Sequence, residues 1–170
     1  MNVSEAVTIR KATEVAAPSE SDIKYGYLRG LLSPADCVSY FSQQMAEGAP
    51  LSGPAEQIAL LLSDELEKFE VLARGLASPR GAESRRYWIL VALVVASDQR
   101  PRSIENVEDA YEFFDSDESL LDFVPWIRPD FNIPSEEKLF RRLGSYIAGE
   151  TEWAKSRPGA KADEAECRHE

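Results

Sequence analysis

Three observations predict an all-α fold. Apolar residues recur at helical spacing between turns, as in Ile23, Tyr27 and Leu31, or Leu139, Phe140, Leu143, Tyr146 and Ile147. Helix-start chemistry recurs as well. In Ser33-Pro34-Ala35-Asp36 a capping serine precedes a proline at the first helical position and an acid at the positive end of the dipole. Short Pro/Gly-bearing breaks separate the segments, such as GAPLSGP at 48–54 and SPRGA at 78–82. The expected arrangement is a single compact domain of six to seven helices, packed as antiparallel hairpins with flexible N- and C-terminal tails. The expected boundaries are an N-terminal arm at 1–18, an acidic helical domain at 19–154 and a disordered C-terminal tail at 155–170. No fixed-period repeat marks a solenoid.

In the N-terminal arm Val7 and Ile9 alternate with Thr8 and Arg10, which suits a short strand or an extended segment. The first helix starts near Ser19 or Ser21 and ends near Gly30. The second runs from Pro34 to Glu47 and buries Cys37, Val38, Phe41 and Met45. A longer helix is expected from Pro54 to about Ala77, on the stripe Ile58, Leu61, Leu62, Leu66, Phe69, Leu72, Ala73 and Leu76. Its opposite face carries Asp64, Glu65, Glu67, Lys68 and Glu70. The fourth helix, 83–98, contains YWILVALVVA, apolar almost all round and therefore central. A buried strand is the alternative there, but its only partner would be the short N-terminal arm.

Ser103 caps the fifth helix, whose stripe is Ile104, Val107, Tyr111 and Phe114. Asp115 to Glu118 ends it or begins a short helix to Val124, and Pro125 and Pro129 hold WIRP extended. Ser135 caps the last helix, expected to reach about Trp153. Trp88 and Trp153 read as packing residues, and Trp126 as a loop anchor or an exposed contact.

The 170 residues make one ordinary domain, long enough to bury about 70% of the unfolded surface without a staple. The net charge is −11. Residues 1–18 sum to zero (Glu5 and Glu14 against Arg10 and Lys11). So do residues 155–170 (Lys155, Arg157, Lys161 and Arg168 against Asp163, Glu164, Glu166 and Glu170). The surplus therefore sits in the helical domain. Such a domain repels phosphate backbones and anionic membranes and attracts basic proteins. A surface that is merely solvated accounts for the same charge. The amino terminus lacks a signal-peptide core, and ten apolar residues do not span a bilayer. With Cys37 at an apolar helical position and Cys167 in a polar tail, the reading is a cytoplasmic protein.

Several chemistries are argued against. The one histidine, His169, lies in the tail, which removes Ser-His-Asp, Cys-His and the usual zinc arrangements. No glycine-rich phosphate loop is present. Asp115-Ser116-Asp117-Glu118-Ser119 begins like a calcium loop but has Leu120 where glycine is needed and Trp126 where the last glutamate is needed. Carboxylate pairs such as Glu108 and Glu112 read as a solvated helix face. The expectation is no catalytic residue, no cofactor and no metal.

The residues Asp22-Ile23-Lys24-Tyr25-Gly26-Tyr27, Gly30-Leu31-Leu32-Ser33-Pro34, Asp64-Glu65-Leu66 and Tyr87-Trp88 form a familiar order. It continues through Ile104-Glu105-Asn106-Val107-Glu108-Asp109-Ala110-Tyr111, Phe114-Asp115 and Phe123-Val124-Pro125. In this the chain resembles an uncharacterised bacterial family, domain of unknown function 2247, over roughly residues 20–150. The family brings no catalytic residues. The resemblance implies a small helical immunity-type partner of the kind found near bacterial toxin genes.

The expected function is protein binding by a non-enzymatic, immunity-type domain that neutralises a toxin. The partner would be a protein, with a basic toxin domain as the leading class. Its contact residues would be Glu105, Glu108, Asp109, Glu112, Phe113, Asp115, Asp117 and Glu118, with the aromatic residue supplying affinity and the acids association rate. A helical adaptor with a non-toxin partner is the alternative, and a metal-assisted carboxylate enzyme the third reading.

Overall fold

The computed structural model describes residues 1–78, 80–114 and 136–157. All its regular elements are helical: α1 (Val3–Ala6), α2 (Ile9–Val15), α3 (Glu20–Leu28), α4 (Pro34–Ala46), α5 (Gly53–Ala59), a 3-10 turn (Leu66–Lys68), α6 (Phe69–Gly75), α7 (Ala82–Asp98), α8 (Ile104–Phe114) and α9 (Glu136–Ser156). The all-α expectation holds. The predicted short helix at 118–124, Trp126 and the calcium-like stretch lie outside the described residues, as do Cys167 and His169.

α7 is the hub. It packs against α1, α2, α3, α8 and α9. From Tyr87 to Ala96 every side chain but the half-buried Val94 is buried. A helix enclosed on all sides needs no polar face, which is why its β-branched residues do not make it a strand. Gly81, at φ 43°, turns the chain into α7 in the left-handed region that favours glycine.

α3 seats on α7 by close backbone approach. A Cβ on Gly26 would lie 2.6 Å from Cζ2 of Trp88, which is fully buried and cannot give way. The indole Nε1–H donates to the Asp22 carbonyl at 2.7 Å. Asp22 is also the third residue of the α3 capping box: its Oδ2 accepts from Ser19 N (2.9 Å) and Ser19 Oγ (2.8 Å). The same carboxylate, 1% exposed, pairs with Arg157 Nη1 at 3.0 Å. The Arg157 guanidinium lies 4.6 Å from the Tyr87 ring centroid and 5.1 Å from that of Trp153.

Both ends of the expected domain are therefore corrected. Residues 1–18 are no loose or extended arm. They form α1 and α2 and bury Val3, Val7, Ala12, Val15 and Ala16. Tyr87 Oη–H donates to the Ala12 and Ala16 carbonyls at 2.9 and 2.8 Å. The apparent alternation at Val7–Arg10 arises because Val7 and Thr8 are the extended link between two short helices. At the other end α9 passes Trp153 to Ser156, and Arg157 is buried instead of belonging to a tail.

The predicted helix from Pro54 to Ala77 is also corrected. It divides into α5 and α6, which pack on one another. Around the turn Glu65 N donates to the Leu62 carbonyl (2.9 Å), and Leu62 N donates to Glu65 Oε2 (3.3 Å). Ser63 and Asp64 are turn formers. A Cβ on Gly75 would meet Pro54 Cγ at 3.0 Å, so the end of α6 lies over the start of α5, as in an antiparallel hairpin. These two corrections raise the count to nine α-helices among the described residues.

Two outcomes follow. Arg157→Met strands a buried carboxylate and should cost about 3 kcal/mol, read as a lower urea midpoint at unchanged m; an unchanged midpoint would refute the pairing. Burial raises the pKa of the Tyr87 and Tyr40 phenols and pushes the Tyr146 phenol up to about 12. The folded chain thus keeps protons that the unfolded chain releases near the ordinary tyrosine value of 10.0. Stability should be level up to about pH 8 and fall as pH rises above that, first through the buried Cys37 thiol, whose ordinary value is 9.0, and then through the tyrosines. Denaturant midpoints against pH check this, and a level profile to about pH 11 would contradict it.

Candidate functional site

α8 separates its faces cleanly. Val107, Ala110 and Phe114 are buried toward the core, where α8 packs on α7. Ser103 Oγ accepts from Glu105 N at 3.1 Å at the start of the helix. At its end the Phe113 carbonyl accepts from Arg29 Nη2 (3.3 Å) and the Phe114 carbonyl from Arg85 Nη2 (3.0 Å). Two guanidinium groups thus satisfy the last carbonyls and oppose the negative end of the dipole.

Glu105, Glu108 and Glu112 are exposed, and their spacing of three and four residues sets them along one face. None of them forms an ion pair among the described residues. Asp109 differs: it is half-buried and paired with the Met1 amino group. Phe113 is not an outward aromatic. It is half-buried, packs on the core and meets Phe114 edge-on at 5.1 Å. Asp115, Asp117 and Glu118 lie outside the described residues. Of the eight residues expected to form the contact face, the structure brings Glu105, Glu108 and Glu112 together at the surface.

Other titratable groups are tied to the fold. Arg86 donates to both oxygens of Glu150, at 2.6 and 2.7 Å, and lies 4.0 Å from the Trp153 ring centroid. Cys37 is fully buried, and desolvation first, then the Asp36 charge, pushes its thiol up to about 12. It is a core atom and not a nucleophile. Among the described residues no group of three or more His, Cys, Asp or Glu side chains is placed to hold a metal ion. No helix there is long and apolar enough to cross a membrane.

The break between α5 and α6 creates a surface that the periodicity argument missed. Leu62, assigned to the buried stripe, is 64% exposed, and Leu60 and Val71 are 67% and 70% exposed. An open groove of about 720 Å³ is lined by Leu60 and Val71, with Leu61 and Leu72 half-buried in it and Glu65, Glu67 and Lys68 along it. The signal was present in Leu60-Leu61-Leu62. Three consecutive leucines spread over most of a helical circumference and cannot all face one side.

Over residues 12–151 the sequence matches the family described as "Uncharacterized protein conserved in bacteria (DUF2247)". The chain belongs to this family. No curated protein and no solved structure matches it. The family assignment covers all of α3 to α8 and most of α2 and α9, so the α8 face and the α5–α6 groove both lie inside the matched region.

With Cys167→Ser leaving Cys37 as the one thiol, a disulfide reagent at about pH 8 should react only as the fold opens. Native modification should be at least about 100-fold slower than in denaturant. Comparable rates would show an accessible thiol.

Proposed function

We propose that this chain is a non-catalytic, immunity-type binding domain whose acidic α8 face docks a basic protein, with a toxin domain as the partner class. The observation that carries this is the division of labour on α8. Its apolar stripe is spent on α7, while Glu105, Glu108 and Glu112 stand exposed on one face without an ion pair among the described residues. Surface carboxylates so placed raise the encounter rate with a cationic partner and select against anionic ones. A toxin that handles nucleic acid needs a basic surface for its substrate, and an acidic helix can occupy it. The resemblance to proteins found near toxin genes supports the same partner class, as does the surplus of negative charge between residues 19 and 154.

The test is a titration of the intact protein, at about 50 and 300 mM salt, with a basic toxin domain sought among the genes beside its own; a neighbourhood without one would count against the toxin class. The triple variant Glu105→Lys, Glu108→Lys, Glu112→Lys should bind at least about tenfold more weakly, mainly through slower association, and lose most of its salt dependence. Unchanged affinity and salt dependence would remove α8 from the interface. Tight binding of a non-toxin protein in place of the toxin would favour the adaptor reading.

A further inference from the structure

The α5–α6 hairpin presents its apolar edge to solvent. Leu60 and Val71, 67% and 70% exposed, line the open groove, and Leu62, 64% exposed, follows in the link after α5. Isolated exposed leucines are ordinary, but a cluster around a groove marks a contact surface.

The charge around this surface says what fits it. Residues 53–76 carry Glu56, Asp64, Glu65, Glu67 and Glu70 against Lys68 and Arg74. Both cations are already held: Lys68 by Glu65 and Arg74 by Glu70. Glu56, Asp64 and Glu67 are left exposed and without an ion pair among the described residues. A second copy of the chain would bring the same acids against them, each copy carrying a net charge of −11. An anionic partner is repelled likewise. Among the described residues there is no strand edge for an extended peptide to join. Two short helices with a groove between them instead suit the packing of a third helix.

We propose that the α5–α6 groove docks an amphipathic helix that inserts apolar residues between Leu60 and Val71 and turns a lysine or arginine toward Glu67, the exposed carboxylate that lines the groove. This surface is separate from the α8 face, and neither reading depends on the other.

The experiment uses the intact protein and two synthetic 18-residue helical peptides. Both carry leucines at helical spacing, one with lysines and the other with glutamates on the polar face. The lysine peptide should bind, and the glutamate peptide should bind at least about 30-fold more weakly. Leu60→Ser with Val71→Ser should weaken the lysine peptide about tenfold or more. Both positions are mostly exposed, so the fold should persist, as unchanged circular dichroism and melting would verify. Glu67→Lys, which leaves the apolar surface intact, should also weaken it. Charge reversal on α8 should leave it unchanged. The proposal is overturned if the lysine peptide does not bind, if both peptides bind alike, or if only the α8 variant loses binding. It is overturned as well if sedimentation shows a dimer that Leu60→Ser with Val71→Ser dissolves.

Discussion

Asp22 holds three elements from inside the core. Its backbone carbonyl accepts the indole N–H of Trp88 on α7, its carboxylate closes the capping box of α3, and the same carboxylate pairs with Arg157 just beyond α9. A buried ion pair adds little stability by itself, because desolvation offsets most of the attraction. Its structural effect is strict, however, since removing any partner strands a charge or an N–H where water cannot reach it. Gly26 imposes a second condition one helical turn along α3, because only a residue without a Cβ lets that backbone approach Trp88. α3, α7 and the end of α9 are thereby fixed relative to one another, and α8 is set on the other contacts of α7.

This arrangement decides which surfaces are available. α7 is covered on all sides, so its neighbours each give one face to it and one to solvent. α8 spends Val107, Ala110 and Phe114 on the core and leaves carboxylates outside. α5 packs on α4 and on α6, and neither α5 nor α6 is among the principal partners of α7. Their apolar content exceeds what those contacts cover, and the surplus emerges as Leu60, Leu62 and Val71. The two exposed regions thus have different physical origins. One is the polar face of an ordinary amphipathic helix, and the other is apolar surface left over from a hairpin too short to bury it.

Much of the helical core was legible in the sequence, because it depends on short-range signals. The capping box at Ser33 and Asp36, the proline at the start of α4 and the stripe of α8 are local, and each forms where its residues place it. The outward position of Glu105, Glu108 and Glu112 follows from the same periodicity. Phe113 shows the limit of that reasoning. Its place on the wheel points partly outward, yet the edge of Phe114 and the adjacent core draw its ring in. Asp109 likewise reads as one more surface acid until the Met1 amino group meets it across the fold.

By itself, the sequence determined that the chain is helical, that residues near 82–98 form its centre, and that the helical region carries the negative charge. These properties are set by composition and by spacings of three and four residues. The tertiary structure alone decided that the first eighteen residues join the core, that the stretch from Pro54 to Ala77 folds back on itself, and that Arg157 is buried. Each of these rests on partners far apart in sequence: Ala12 with Tyr87, Pro54 with Gly75, and Asp22 with Arg157. A helical pattern describes which face of a segment is apolar. It does not say whether a distant residue will arrive to cover that face, and here α7 is covered while the edge of the α5–α6 hairpin is not.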